Sequence, residues 1–167
     1  MSINIDILTQ LEKIIEDNNA IGGSLDISES LNHRVKAVFK GVDGMHENLP
    51  VLNTQLPCVF IEAVDKEEDW GQFGGGSNRR QMNLNYRLVP ITSYGMGSST
   101  NGESRENASA ELLQLADNLE RLIRNNATLS NTVMSCRCKG TTYKSMANDS
   151  TYSCSARIEL EIKRYGE

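Results

Sequence analysis

Histidine is scarce in this 167-residue chain: His33 and His46 are the only two. A Ser-His-Asp or Cys-His hydrolytic centre would have to use one of them. Both stand in polar connecting stretches with no nucleophile-elbow pattern nearby. Aromatic residues make up only 5%, too few and too scattered for a base-stacking platform. Basic residues are outnumbered, 17 against 22 acidic, for a formal net charge of −5. Phosphate binding needs a clustered basic surface, so this balance argues against nucleic acid as the main partner. No apolar run approaches the roughly 20 residues of a membrane span. The start, Met1-Ser2-Ile3-Asn4-Ile5-Asp6, lacks the basic-then-apolar order of a signal peptide. The chain is therefore expected to be soluble and made inside the cell. Without export, Cys58, Cys136, Cys138 and Cys154 are not expected to form a disulfide framework. What is present, 38% apolar and 23% charged residues, suits one globular domain over residues 1–167.

Hydrophobic spacing gives the order of elements. Ile7, Leu8, Leu11, Ile14 and Ile15 recur at helical spacing, with Asn4 able to cap the start and Gly22-Gly23 beyond the end. Arg34 to Lys40 reads as a short strand, in which Val35, Ala37 and Phe39 alternate with Lys36 and Lys40. Residues 41–56 read as a connection. Cys58-Val59-Phe60-Ile61-Glu62-Ala63 is apolar on both parities and predicts a strand covered on both faces or central in a sheet. Acidic residues 65–69 lead into a glycine-rich loop near 71–78. Arg80 to Thr92 alternates as a long strand, with Met82, Leu84, Tyr86 and Leu88 on one side. A second polar loop is expected near 93–104. The strongest helix pattern spans Arg105 to Asn125, with Ala108, Leu112, Leu115, Leu119 and Leu122 as its stripe and Ser104 as its cap. A hairpin closes the chain. Met134, Cys136 and Cys138 share a face of its first strand; Tyr152, Cys154, Ala156, Ile158, Leu160 and Ile162 share a face of its second. Arg157, Glu159, Glu161 and Lys163 point the other way, and residues 147–150 supply the turn. The order α-β-β-β-α-β-β predicts a single two-layer α+β domain: a mainly antiparallel sheet covered by two helices.

Each chemical motif has a blander competitor. Cys-x-Cys at 136 and 138, with Cys154 across the hairpin, has strand geometry for a metal. These positions nevertheless belong to an apolar stripe and lack a fourth ligand, so core packing is preferred and no metal is expected. Gly74-Gly75-Gly76 leads through Arg79 and Arg80 into a strand. Phosphate loops must open a helix, so no nucleotide or other cofactor is expected either. Glu67 with Glu68, and Glu159 with Glu161, read as solvated faces and not as acid–base pairs. No enzyme activity is expected. Long polar loops on a small scaffold suit assembly, by ordering against a neighbour.

The sequence resembles the tail terminator (tail completion) proteins of long-tailed bacteriophages. The likeness rests on the amphipathic first helix, on Leu56-Pro57-Cys58-Val59-Phe60-Ile61-Glu62, and on Asn83-Leu84-Asn85-Tyr86-Arg87-Leu88-Val89-Pro90. It continues through Leu112-Leu113-Gln114-Leu115-Ala116-Asp117-Asn118-Leu119 to the closing Ala156-Arg157-Ile158-Glu159-Leu160-Glu161-Ile162. It is one of element order across most of the chain. The resemblance implies a structural virion protein at the head-proximal end of the tail, made in the host cytoplasm. There it forms a homo-oligomeric ring, expected to be hexameric, that ends tube polymerisation and joins tail to head. The implied partners are further copies of the chain, the tail tube protein and a neck or head-completion protein, with DNA only as passing cargo and no membrane. Gly74, Gly75, Gly76, Arg79, Arg80, Tyr94 and Met96 are the candidate contacts to subunits or partners; Glu159 and Glu161 are candidate lumen-facing residues. Two alternatives stand beside it: a head–tail adaptor or stopper of the neck, and a small cytosolic ligand-binding module or enzyme using the glycine-rich loop.

Overall fold

The computed structural model describes residues 2–18, 35–48, 56–69, 80–95, 101–147 and 151–166. Its elements are α1 (Ile3–Asp17), β1 (Ala37–Val42), α2 (Met45–Asn48), β2 (Cys58–Asp69), β3 (Arg80–Gly95), α3 (Asn101–Asn125), β4 (Ser135–Ala147) and β5 (Thr151–Gly166). The strands form one five-stranded sheet in the order β1-β2-β3-β5-β4. Only the β1–β2 pairing is parallel; the other three are antiparallel. The fold is the α+β two-layer arrangement that the hydrophobic pattern predicts.

The helices cover one sheet face because their stripes and the strands' alternation meet there. Ile7, Leu11, Ile14 and Ile15 of α1 pack with Leu112, Leu115, Leu119 and Leu122 of α3. Beneath them lie Val59 and Ile61 of β2, Met82, Leu84, Tyr86 and Leu88 of β3, and Ala156, Ile158, Leu160 and Ile162 of β5. All of these are at most 6% exposed. A hydrogen bond from Thr92 Oγ1 to the Ala108 carbonyl (2.9 Å) ties β3 to α3. The other parity of β2 makes a second, smaller cluster: Cys58, Phe60 and Val89, with Ala37, Phe39, Met45 and Ile91 against them. That is why the β2 segment is apolar on both parities.

Several expectations need correction. Residues 41–56 are not a plain connection, since one turn of helix, α2, lies within them and seats Met45 on the second cluster. A parallel β1–β2 pair requires a crossover, and its described helix, α2, lies on the face that α1 and α3 leave open. The loop expected at 93–104 is much shorter. Ser93, Tyr94 and Gly95 continue β3 by pairing with Ser153, Tyr152 and Thr151, and α3 already begins at Asn101. Pairing along a long partner strand outweighs a polar composition there. β2 likewise runs through the acidic residues to Asp69, after a bulge between Ala63 and Asp65. Ala147, expected in the hairpin turn, ends β4. Val35 precedes β1 and joins the main core, whereas Ala37 and Phe39 join the second cluster. The N-cap of α1 is Ser2, without a side-chain cap. Asn4 lies inside the helix, where its Oδ1 accepts a hydrogen bond from the hydroxyl of the buried Tyr86. Substituting Tyr86→Phe removes that donor and is expected to cost about 1 kcal/mol in urea denaturation. An unchanged midpoint would show the bond contributes nothing net.

Candidate functional site on the open sheet face

Beyond the second cluster, the face that α1 and α3 leave uncovered is polar, because the second parity of β3 from Gln81 to Arg87 and that of β5 are polar. Two cross-strand rows organise it. Glu62 of β2 stands opposite Arg87 of β3, which stands opposite Glu159 of β5. One step along, Asp65, Asn85, Glu161 and Arg137 line up across β2, β3, β5 and β4. Opposed charges directly across a ladder attract, and the distances follow. Arg87 Nε donates to Glu159 Oε1 at 2.7 Å, Arg137 Nη2 lies 2.9 Å from Glu161 Oε1, and Asn85 Nδ2 donates to Asp65 Oδ1 at 2.5 Å.

At the centre is Glu62, with no exposed surface. Its Oε2 accepts the backbone N–H of His46 at 2.8 Å and lies 2.8 Å from His46 Nδ1. Its Oε1 is 3.8 Å from Arg87 Nη1. A buried carboxylate needs such partners to stay in a low-dielectric site. Asp43, at the start of the crossover, also pairs with Arg87. Burial alone would lower the Arg87 guanidinium, but hydrogen bonds and charge from Glu159 and Asp43 outweigh it and hold the group above its ordinary value. The edge of the His46 ring also meets Phe60, with centroids 6.3 Å apart. The bond of Nδ1 to a carboxylate fixes the ring's orientation.

His46 lines a cleft of about 410 Å³ with Glu47, Ile91, Lys144, Ser153 and Arg157 among its walls. Arg157 Nη2 donates to Glu47 Oε1 at 2.6 Å, and that same oxygen is 3.7 Å from His46 Nε2. The arrangement can accept or deliver a proton at His46 Nε2, and it can hold an anion that displaces Glu47 from Arg157.

Sequence-predicted site residues are dispersed. Glu159 and Glu161 do lie on the open face, but Arg87 and Arg137 neutralise them, so they present a mixed ladder and not an acidic field. Arg80 opens β3 opposite Gly166, and Tyr94 sits opposite Tyr152 near its far end. Gly74, Gly75, Gly76, Arg79 and Met96 lie outside the described residues, as does His33. Sequence reasoning missed Glu62, Asp43 and Arg87, and it placed His46 in a featureless connection. One signal was present: Glu62 is the single charged residue in an otherwise apolar segment, 58–63.

Three of the four cysteines are buried core residues, and Cys138 is partly buried against the same core. Cys136 and Cys154 sit under the helices and Cys58 in the second cluster. Burial pushes the Cys58 thiol up to about 12. It pushes Cys136 to about 12 as well, with a smaller contribution from Cys138. A thiolate-selective reagent at pH 8 is therefore expected to leave both unmodified until the protein unfolds. Unfolded thiols ionise near 9.0 whereas these stay protonated in the fold. Their contribution is complete below pH 9 and is lost as pH rises towards 12, by about 1 kcal/mol per thiol at pH 10. Urea midpoints at pH 8 and pH 10 check this, and equal midpoints would contradict it.

The fold and this face define a class: a two-layer α+β protein with a cross-neutralised polar sheet face. No helix among the described residues is long and apolar enough to cross a membrane. The chain matches no protein-family model and no curated protein. It is similar to a solved structure at 12% identity, with 95% of this chain against 98% of that one and a TM-score of 0.41. A likeness of that degree carries no weight for function.

Proposed function

We propose that this chain is a tail terminator: a structural protein whose copies form a ring at the head-proximal end of a phage tail, ending tube growth and offering a surface to the head. The observation that supports it best is the pair of sheet edges. Among the described residues, β1 and β4 have no outer partner strand, and β4 runs for 13 residues with Thr142, Tyr143, Lys144 and Ser145 exposed. A long unpaired edge is a template for another chain. A contact between opposite edges of successive copies is head-to-tail, and it closes into a ring when its rotation divides the circle. The mixed ladder on the open face suits a surface that DNA passes without binding. Light scattering over a wide concentration range tests the ring: six 18.5-kDa copies give a species of about 111 kDa. Adding the chain to polymerising tube protein should also shorten the tubes. A monomer at every concentration together with unchanged tube length would overturn the reading. A neck adaptor or stopper would form the ring and leave tube length unchanged.

One observation favours a second reading, a ligand-binding or catalytic module. His46 is held by buried Glu62 with its other nitrogen towards the 410 Å³ cleft, the orientation of a general base. Thermal shift against a panel of small anions tests it. A shift lost in Arg157→Leu supports the module, and no shift with any of them removes it.

A further inference from the structure

At the centre of the open face each arginine meets a carboxylate, Arg87 with Glu159 and Arg137 with Glu161. Beside α2 that balance fails. Lys144 of β4 stands opposite Ser155 of β5, which stands opposite Ile91 of β3. Arg157 is two residues further along β5 and so shares that face. It is the diagonal neighbour of Lys144, about 7–8 Å away at the backbone. Arg157 is matched by Glu47 at 2.6 Å, whereas Lys144 makes no hydrogen bond or ion pair among the described residues. Both cations border the cleft of about 410 Å³, together with Ser153, Ser155 and Ile91. One wall is His46, whose side chain is 8% exposed. Glu62 Oε2, 2.8 Å from Nδ1, holds the ring proton there, so Nε2 carries a lone pair. Glu47 Oε1 is 3.7 Å from Nε2, too far for a hydrogen bond. Nε2 is not among the polar atoms sealed from solvent, and it stays reachable from the cleft.

We propose that this cleft binds a phosphate monoester as its dianion, with a proton taken up from solvent at His46 Nε2 as the anion enters. This ligand class rests on the ligand-binding reading of the cleft and deepens it. Arg157 by itself would carry nothing, because Glu47 already meets it. Around it, however, stand the unpaired ammonium of Lys144, the hydroxyl of Ser155 between the two cations, and a nine-tenths-buried imidazole. A dianion favours the imidazolium through its charge. Glu62 beneath the ring, with Arg87 3.8 Å behind it, compensates the positive ring. The charged groups around the ring are then Glu62 from β2 and Glu47 from α2, with Arg157 from β5 and Lys144 from β4 across the cleft. Glu47 is 57% exposed and can turn to solvent, which frees the Arg157 fork for two phosphate oxygens. Three phosphate oxygens suit donors that arrive from α2, β4 and β5, whereas a carboxylate offers two. A diester carries a single charge and leaves one cation unmatched. No bond other than Nε2–H is made or broken.

The test follows the ring nitrogens of His46 in the full ¹⁵N-labelled chain at neutral pH, with His46→Gln to assign them. Phenyl phosphate, added at constant ionic strength, should move Nε2 towards its protonated position and leave Nδ1 little changed, with saturation in the millimolar range. Dimethyl phosphate, which carries the single charge of a nucleic-acid backbone, should bind at least several-fold more weakly, and so should acetate. Lys144→Ala should weaken phenyl phosphate about tenfold and leave the fold intact, because Lys144 is exposed. Saturable binding that leaves Nε2 unprotonated, or that Lys144→Ala does not weaken, would overturn the proposal. Equal binding of dimethyl phosphate would overturn it too, and would assign the surface to a nucleic-acid backbone. A saturable response to acetate and none to phenyl phosphate removes the ligand class but keeps the cleft as a ligand site. No saturable response to any of the three removes both.

Discussion

Replacing Glu62 by alanine is expected to cost about 3–5 kcal/mol, a large part of the 5–15 kcal/mol that holds a domain of this kind together. The side chain is completely buried, and its Oε2 serves both the His46 amide and His46 Nδ1. Its removal leaves two donors beneath α2 without an acceptor, opens a cavity, and strips one of the carboxylates around Arg87. Substituting Glu62→Gln keeps the volume and one acceptor oxygen, and it should cost less, about 1–3 kcal/mol. His46→Ala leaves the backbone donor in place and should fall between them. Arg87→Met, combined with Glu62→Gln in a double-mutant cycle, should show coupling, because the two side chains face each other across the β2–β3 ladder. Urea denaturation gives all four values. A cost below about 1 kcal/mol for Glu62→Ala would mean that water replaces the carboxylate, and that the centre of the face is not a structural anchor.

The two layers were legible in the sequence because long amphipathic elements carry their own evidence. The stripe from Ala108 to Leu122 and the alternation from Cys154 to Ile162 each repeat often enough to fix a face, and both are buried as their spacing predicts. The β2 segment also announced its two covered faces. Strand order was not legible: β1 lies beside β2 in parallel and β4 lies at the edge, and no local pattern encodes a neighbour. The four residues of α2 are too few to show a helical period. The open-face site was hardest to see, because Glu62 takes its partners from His46 and from Arg87, each on a different element. Alternation could place Glu159 and Glu161 on the polar face. Register alone shows that each meets an arginine on a neighbouring strand, Arg87 and Arg137.

Phe60→Ala should produce the other large loss, about 3–5 kcal/mol, and in a way that separates the two clusters. Phe60 is fully buried on the face opposite the helices, stacked on Phe39 with ring centroids 4.9 Å apart and packed with Cys58 and Val89 in a cluster that Met45 joins. That cluster is small and, among the described residues, α2 lies over it, with its seat dependent on Met45 below and His46 beside it. Truncating the ring removes the floor on which both rest. The main core on the other face keeps its packing, so α1 and α3 should retain their protection. The expected signature in hydrogen exchange is therefore uneven. The His46 and Glu47 amides should exchange faster than the global loss explains, while amides in the middle of α3 slow or speed only with global stability. Ile5→Ser provides the control, because Ile5 is 60% exposed and its replacement should change stability by no more than about 0.5 kcal/mol. Uniform acceleration in Phe60→Ala would mean that the two faces unfold as one unit. In that case the crossover could not open by itself, and the cleft beside His46 could admit only what fits it as it stands.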